Sequence, residues 1–113
     1  MVLEPRHASW FEGEPDALRC ELTVARVAAD PARVPAAAEL GGSRSLSYYR
    51  LHGSPKIYYS AYTDDFFATL LPRFKADLEQ HRSVWCIFDN TTLGSATRNA
   101  LDLSAGLERA GPP

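Results

Sequence analysis

The chain has 113 residues, of which 45% are apolar and 23% are charged, and its net charge is −2. This composition is typical of one soluble globular domain, and the absence of any lysine- and arginine-rich run argues against a nucleic-acid surface. No apolar run is long enough to span a membrane and the first residues do not form a signal peptide, so we expect a cytoplasmic protein without a membrane partner. Cys20 and Cys86 are expected to be reduced thiols that pack as small apolar side chains.

Segments of strand length alternate with segments of helical periodicity along the chain. The clearest helix start is Thr63, a capping hydroxyl followed by two carboxylates. Apolar residues then recur every four positions and predict one buried face, made by Phe66, Leu70, Phe74 and Leu78. The predicted elements of a single domain 1–113 are a strand near 2–6, a helix at about 14–22, a strand at about 23–29, a loop at 31–45, a strand at about 46–52, a helix at about 64–82, a strand at about 84–89 and a helix at about 96–109.

This alternation predicts an α/β fold with parallel strands and right-handed crossovers. The segment that contains Trp85 and Cys86 is the most hydrophobic of the chain, so both side chains are expected to pack in the core or against helices.

Polar side chains stand at the carboxyl ends of the predicted strands, where α/β proteins commonly bind ligands. Arg50 and His52 are two positions apart and therefore point to the same side of their strand. The candidate catalytic residues are His52, Asp89 and Glu4. The candidate ligand-binding residues are Arg6, Asp30, Arg50, Ser54, Asn90 and Ser95.

Each candidate has a functional and a structural interpretation. Arg50 would hold an anionic group while His52 acts as an acid, base or ligand; alternatively, both only pair with Glu4 and Asp89. Glu4 and Arg6 form a substrate clamp or a structural ion pair.

The remaining candidate residues also have both a functional and a structural interpretation. Asp30 precedes a proline and can be a simple turn residue. Ser54 and Ser95 follow glycines and predict an anion site, although Ser95 is equally explained as a helix cap. The tyrosines of the loop that follows, Tyr58, Tyr59 and Tyr62, would stack on a sugar or base, or pack over the core.

Five segments, 4–11 (EPRHASWF), 29–31 (ADP), 49–55 (YRLHGSP), 84–91 (VWCIFDNT) and 99–101 (NAL), together closely resemble the YecE-like family, the domain of unknown function (DUF) numbered 72. The resemblance implies a TIM-type (β/α)8 barrel of bacterial and archaeal cytoplasmic proteins with no established activity. It covers only the carboxyl-terminal part of that family, from about the fifth to the eighth strand, so the implied fold is an incomplete half-barrel. A complete barrel needs roughly 250 residues, and we expect a truncated or mis-started reading frame or a fragment of a larger gene.

We therefore expect a barrel fragment with a site for a small anionic ligand at the carboxyl ends of its strands, and we expect no cofactor. One alternative is a non-catalytic truncated domain or interaction module. Another is a metal-dependent phosphoester hydrolase with oxygen and imidazole ligands, for which no metal-binding spacing is present. Four strands cannot close a barrel, so the sheet edges near Val2 and Trp85 are expected to promote self-association, with Val24, Val27 and Ile87 partly exposed.

Overall fold

A computed structural model describes residues 1–111 of the chain, so that Pro112 and Pro113 of the predicted domain lie outside the described residues. The described part contains six strands and three α-helices, together with two short 3-10 helices. In chain order the elements are β1 (Val2–Leu3), a 3-10 helix (Ala8–Phe11), α1 (Gly13–Glu21), β2 (Ala25–Arg26), β3 (Ala28–Asp30), a 3-10 helix (Pro35–Ala38), β4 (Gly41–Gly42), β5 (Leu46–Leu51), α2 (Asp64–Glu79), β6 (Ser83–Phe88) and α3 (Ser95–Ala110).

The strands form two three-stranded sheets that are joined through one stretch of chain. β1 pairs in parallel with β2, and β4 pairs antiparallel with the other side of β2. β3, β5 and β6 are all parallel, in that order. Only Val27 separates β2 from β3, so these two strands form one continuous extended segment. This segment pairs with β1 on one side and with β5 on the other. The architecture is thus α/β with mainly parallel strands, as predicted.

The predicted loop 31–45, in which the sequence indicated one helical turn near 36–40, also contains a strand that the sequence did not indicate. Besides its 3-10 helix, it contains β4, which consists of two glycines beside β2. Gly42 has a φ of +62°, and a Cβ atom there would lie 2.5 Å from the backbone oxygen of Val24. Only glycine fits this close approach, and a paired glycine strand has no apolar pattern to reveal it.

Helix α2 buries Phe67, Leu70, Phe74 and Asp77, and Phe66 is only half-buried. The ring of Phe74 lies 4.7 Å from that of Tyr49 on β5. Each such buried apolar side chain contributes about 1.5–3 kcal/mol. The buried face therefore begins at Phe67, one residue later than predicted, and it includes the carboxylate of Asp77. The helix ends at Glu79, before the predicted 82, because His81 adopts a φ of +59°.

The apolar core lies on one face of the strands. It takes Tyr49 and Leu51 from β5 and, from β6, the half-buried Cys86 and Phe88, against α2 and α3. The alternate residues point to the opposite face, here called the open face and made of Tyr48, Arg50, Trp85 and Ile87.

Trp85 on the open face is 56% exposed, so the prediction that it packs in the core or against helices is wrong. Ile87 and Val24 are half-buried, as expected, whereas Val27 is 2% exposed and that expectation is also wrong. None of the helices in residues 1–111 is long and apolar enough to cross a membrane.

Candidate functional site

Four charged or polar side chains meet at the carboxyl ends of β1, β5 and β6. Glu4 follows β1 directly, Arg50 and His52 lie at the end of β5, and Asp89 follows β6. Arg50 donates from Nε to Asp89 Oδ2 at 2.9 Å, and its Nη1 lies 3.5 Å from Glu4 Oε1. Arg6 extends the cluster, since its Nη2 lies 3.1 Å from Glu4 Oε2. We call Glu4, Arg50, His52 and Asp89 the rim network.

The His52 ring lies between the two carboxylates of the rim network and is 3% exposed. Its Nε2 is 3.3 Å from both carboxylate oxygens of Glu4. Its Nδ1 is 3.3 Å from Asp89 Oδ2, but this contact lacks hydrogen-bond geometry and leaves Nδ1 buried without a hydrogen-bond partner. In the protonated ring each nitrogen would therefore face a carboxylate. The ring of Tyr58 approaches edge-on, with 6.0 Å between centroids.

Arg50 remains charged at this position. Burial lowers the pKa of Arg50, but the hydrogen bond to Asp89 and the charges of Asp89 and Glu4 outweigh burial, so the pKa lies above its usual value. The rim network thus holds a permanent cation between two carboxylates.

A cavity of about 180 Å³ opens beside Glu4 and His52. Its polar lining residues are Glu4, Arg6, Arg33 and His52, and its apolar lining includes Pro5, Ala29, Ala37 and Ile57. Sequence reasoning missed Arg33, which lies in the loop after β3. The sequence signal that could have indicated Arg33 was an arginine two residues after Pro31, at the start of the predicted loop.

Asp30 points away from the rim network, toward the helices. It accepts a hydrogen bond at 2.8 Å from the hydroxyl of Tyr62, which itself accepts from the backbone N–H of Gly53 at 2.8 Å. Burial, together with the hydrogen bond to Asp30, raises the pKa of Tyr62 above its usual value. Tyr62 is 7% exposed, which matches the packing interpretation of this residue rather than stacking on a ligand.

The other three candidates lie apart from the rim network's cavity. Ser54 lines a second cavity, of about 170 Å³, together with Asp30 and Tyr62. Ser95 is the first residue of α3 and lines neither cavity. Asn90 is fully buried and donates from Nδ2 to the Ser60 carbonyl and to Asn99 Oδ1, both at 2.9 Å.

Asn99, which was not among the candidate site residues, connects the loop after β5 to α3. Its Oδ1 accepts from the backbone N–H of Tyr62 at 2.9 Å, and its Nδ2 donates to the Tyr62 carbonyl at 3.1 Å. Gly53 begins this loop with a φ of +105°, and a Cβ there would lie 3.3 Å from that of Asn90. The loop that follows His52 is therefore fixed at its start by packing of Gly53 against Asn90 and at its end by the hydrogen bonds of Asn99.

Glu4, Asp30, His52 and Asp89, considered together as metal ligands, are not gathered around one point, because Asp30 faces the helices. Within residues 1–111 no group of three or more histidine, cysteine, aspartate or glutamate side chains is placed to hold a metal ion.

Comparison with known proteins identifies the family. Residues 1–112 match the family described as "Protein of unknown function DUF72". The chain belongs to the DUF72 family. This is the family, also named YecE-like, that the sequence segments resemble.

Two solved DUF72 structures share the fold of this DUF72 chain. One is a DUF72 family protein from Thermotoga maritima, with a TM-score of 0.74 and 24% identity over 95% of this chain. The other is a DUF72 family protein from Enterococcus faecalis, with a TM-score of 0.75 and 19% identity over 95% of this chain. The DUF72 chain spans only 45% and 46% of those two proteins. No curated protein matches it.

Proposed function

We propose that the cavity beside the rim network binds a small anionic ligand and that His52 exchanges a proton with it. The observation that carries this proposal is the meeting of Glu4 and His52 with Arg6 and Arg33 in one cavity. The fold alone assigns no reaction class, so the proposal rests on these side chains.

The charges around the cavity favour an anion. Three guanidinium groups, those of Arg6, Arg33 and Arg50, stand against the carboxylates of Glu4 and Asp89, which leaves one positive charge unmatched. Guanidinium groups bind carboxylate and phosphate in a two-pronged geometry. At about 30 Å³ for each water, the cavity holds roughly six waters, so the ligand is the size of phosphate or a short carboxylic acid.

Proton transfer would use Nε2 of His52, the ring nitrogen that faces Glu4. Glu4, which faces Nε2, lines the cavity, whereas Asp89, near Nδ1, does not. Glu4, 3.3 Å from Nε2, would orient this nitrogen, which then serves as acid or base. Glu4 would share that proton with the bound ligand.

We further propose that the chain is the carboxyl-terminal part of a TIM-type (β/α)8 barrel. The strand order β1, then β2 with β3, then β5 and β6, with helices on one face, supports this. In such a barrel the open face would point inward, and the rim network would lie at the carboxyl-terminal end of the barrel, where these folds place their sites.

The test is a titration of the chain with inorganic phosphate and with acetate, followed by NMR of the histidine rings. We expect the His52 ring resonances to move with a saturable dependence at millimolar anion. His7 and His81, both exposed, are internal controls in the same spectrum. If all three histidines respond alike, or His52 does not respond, the anion site is disproved.

Variants separate the cavity from nonspecific charge. Arg33→Ala should weaken the response of His52 about tenfold, because one charged partner of the anion is lost. Arg98→Ala is the matched control, since the Arg98 side chain is 81% exposed on α3 and does not line the cavity. An equal effect of both substitutions would contradict the proposal.

A further inference from the structure

A second group of cations lies at the amino ends of β5 and β6, opposite the rim network. Arg44 shortly precedes β5, Arg82 directly precedes β6, and Arg73 lies on α2, the helix that joins these two strands. The three arginines line a cavity of about 430 Å³, here called the arginine cavity. Its other polar lining residues include Glu39, Asp77 and Gln80.

Helix α2 contributes one face to the arginine cavity. Arg73, Ala76, Asp77 and Gln80 all line it and are spaced three or four positions apart, so they lie above one another on the helix. Residues 39, 40 and 44 line it from the segment before β5. The whole lining therefore comes from residues 39–82, in the middle of the described chain.

The carboxylate of Asp77 orients two of the three guanidinium groups. Asp77 is 4% exposed and lies 3.3 Å from Nη2 of Arg44 and 3.0 Å from Nη1 of Arg82. Each contact uses one nitrogen of a group that carries five N–H donors. One carboxylate thus holds two cations in place but neutralises only one of them.

The third cation, Arg73, has a partner that a ligand can displace. Its Nη2 lies 3.1 Å from Glu39 Oε2, and its guanidinium carbon lies 5.5 Å from the centre of the Tyr49 ring. The Glu39 side chain is 67% exposed, so little free energy is lost when this ion pair opens. Without Glu39, three guanidinium groups face only the carboxylate of Asp77. The carboxyl end of α2 offsets about half a charge.

We propose that the arginine cavity binds a phosphate monoester. The phosphate would contact Arg73, in place of Glu39, and the free donors of Arg44 and Arg82. Guanidinium groups bind phosphate in a two-pronged geometry. A phosphate monoester carries about −1.5 to −2 charges at pH 7, which matches the unmatched positive charge.

The size of the arginine cavity favours an ester over free phosphate. At about 30 Å³ for each water, the cavity holds roughly fourteen waters, more than twice as many as the cavity beside the rim network. This volume accommodates the phosphate together with a small polar group, such as glycerol or a sugar. Gln80, whose amide both donates and accepts hydrogen bonds, would contact that group.

The test is a titration of the chain with glycerol 3-phosphate, inorganic phosphate and acetate, followed by NMR of side-chain amides. Gln80 is the sole glutamine of the sequence, and Asn99, buried elsewhere, is the internal control. We expect a saturable shift of the Gln80 amide at millimolar glycerol 3-phosphate, an equal or weaker affinity for inorganic phosphate, and no shift with acetate. A Gln80 amide that does not respond, or that responds to acetate or only to inorganic phosphate, would overturn the proposal.

Two substitutions should change the affinity in opposite directions. Arg73→Ala should weaken binding of glycerol 3-phosphate about tenfold, because a charged partner of the phosphate is lost. Glu39→Gln should strengthen binding severalfold, because no carboxylate then competes for Arg73. The side chains of Arg73 and Glu39 are 38% and 67% exposed, so the fold should tolerate both changes. Circular dichroism checks that it does.

Matched controls remove the same charges nearby. Lys75→Ala and Glu79→Gln also change exposed residues of α2, but neither residue lines the arginine cavity. Both controls should leave the affinity unchanged. If they act like Arg73→Ala and Glu39→Gln, binding follows net charge alone and the proposed site is wrong. If Glu39→Gln weakens binding, the displacement of Glu39 is wrong.

This inference does not rest on the anion site beside the rim network. Arg33→Ala should change the response of His52 and leave that of Gln80, whereas Arg73→Ala should do the reverse. His81 follows Gln80 but lines neither cavity, so its ring remains a control for the rim network. If each variant weakens both responses equally, the arginine cavity is not a separate site.

Discussion

The hydroxyl of Tyr49 on β5 donates a hydrogen bond to Asp77 Oδ2 on α2, at 3.3 Å. Asp77 is 4% exposed and also accepts from Arg82 Nη1 at 3.0 Å and from Arg44 Nη2 at 3.3 Å. Arg44 precedes β5 and Arg82 precedes β6, so one carboxylate ties the starts of two strands to the helix that joins them.

Replacing this carboxylate should destabilise the fold. We expect Asp77→Asn to lower the free energy of unfolding by about 1–3 kcal/mol, because two guanidinium groups lose a charged acceptor at a buried position. Urea denaturation measures the change. Glu79→Gln, an exposed change on the same helix, should shift it by less than about 0.5 kcal/mol. Equal stability of both variants would contradict a structural role for Asp77.

The same contact predicts a loss of stability at alkaline pH. Burial and the charge of Asp77 raise the pKa of Tyr49 from 10.0 to about 12. Above the ordinary value the unfolded chain releases this proton while the folded chain retains it, so the free energy of unfolding falls as pH rises from about 10 to about 12. The shift of Tyr62 has the same sign.

We therefore expect Tyr49→Phe to lose less stability than the unmodified chain when urea denaturation is repeated at about pH 9 and about pH 11. Tyr59→Phe, which removes an exposed loop hydroxyl, is the control and should retain the original pH dependence. A Tyr49→Phe variant with an unchanged dependence would show that Tyr49 does not cause it.

A second buried charge cluster lies under α1. Asp16 Oδ1 accepts from Arg19 Nη2 at 3.0 Å, from Arg26 Nη1 at 3.1 Å and from the backbone N–H of Gly42 at 2.9 Å. Both arginines are less than 8% exposed, and burial lowers the pKa of Arg26 despite the charge of Asp16. One carboxylate thus serves two buried guanidinium groups.

Asp16→Asn should cost about 3 kcal/mol in the free energy of unfolding, since it leaves both cations without a counter-charge. Thermal or urea unfolding measures the loss. Glu14→Gln, on the first turn of the same helix but exposed, should change the free energy by about 0.5 kcal/mol at most. A smaller loss for Asp16→Asn than for this control would refute the argument.

The two cysteines should differ in reactivity. Burial raises the pKa of Cys86 to about 12, and because the thiolate is the reactive form, this thiol should resist alkylation at about pH 8. Cys20 is exposed. Mass spectrometry after iodoacetamide treatment should show one modification on the folded chain, none on Cys20→Ser, and two on the unfolded chain. Rapid double modification of the folded chain would contradict the burial of Cys86.

The residues of the rim network could be predicted from the sequence because their positions follow from the strands in which they lie. Arg50 and His52 share a face through the two-residue period of a strand, and Glu4 and Asp89 each follow a strand end. Parallel pairing then brings those ends together. Whether these residues bind a ligand is a separate prediction, and the proximity alone does not decide it.

Features that depend on residues far apart in the sequence were not predicted. Asp77 resembles any surface carboxylate of a helix until Arg44, 33 positions earlier, is brought beside it. Trp85 and Cys86 are neighbours in a continuous apolar run, which carries no alternation to show which side chain faces the helices. Arg19 and Arg26 are buried only because Asp16 and the glycines of β4 enclose them.

The contacts that hold His52 span almost the whole chain. Glu4 and His52 are 48 positions apart, and Asn99 reaches back 37 positions to hold Tyr62. Contacts so distant in sequence form late during folding, since the entropy of closing the intervening loops is lost before they are made. The cavity beside His52 should therefore be assembled last, after α3 has docked. A nascent chain still lacking Asn99 would contain every residue that lines the cavity but not the amide that holds Tyr62.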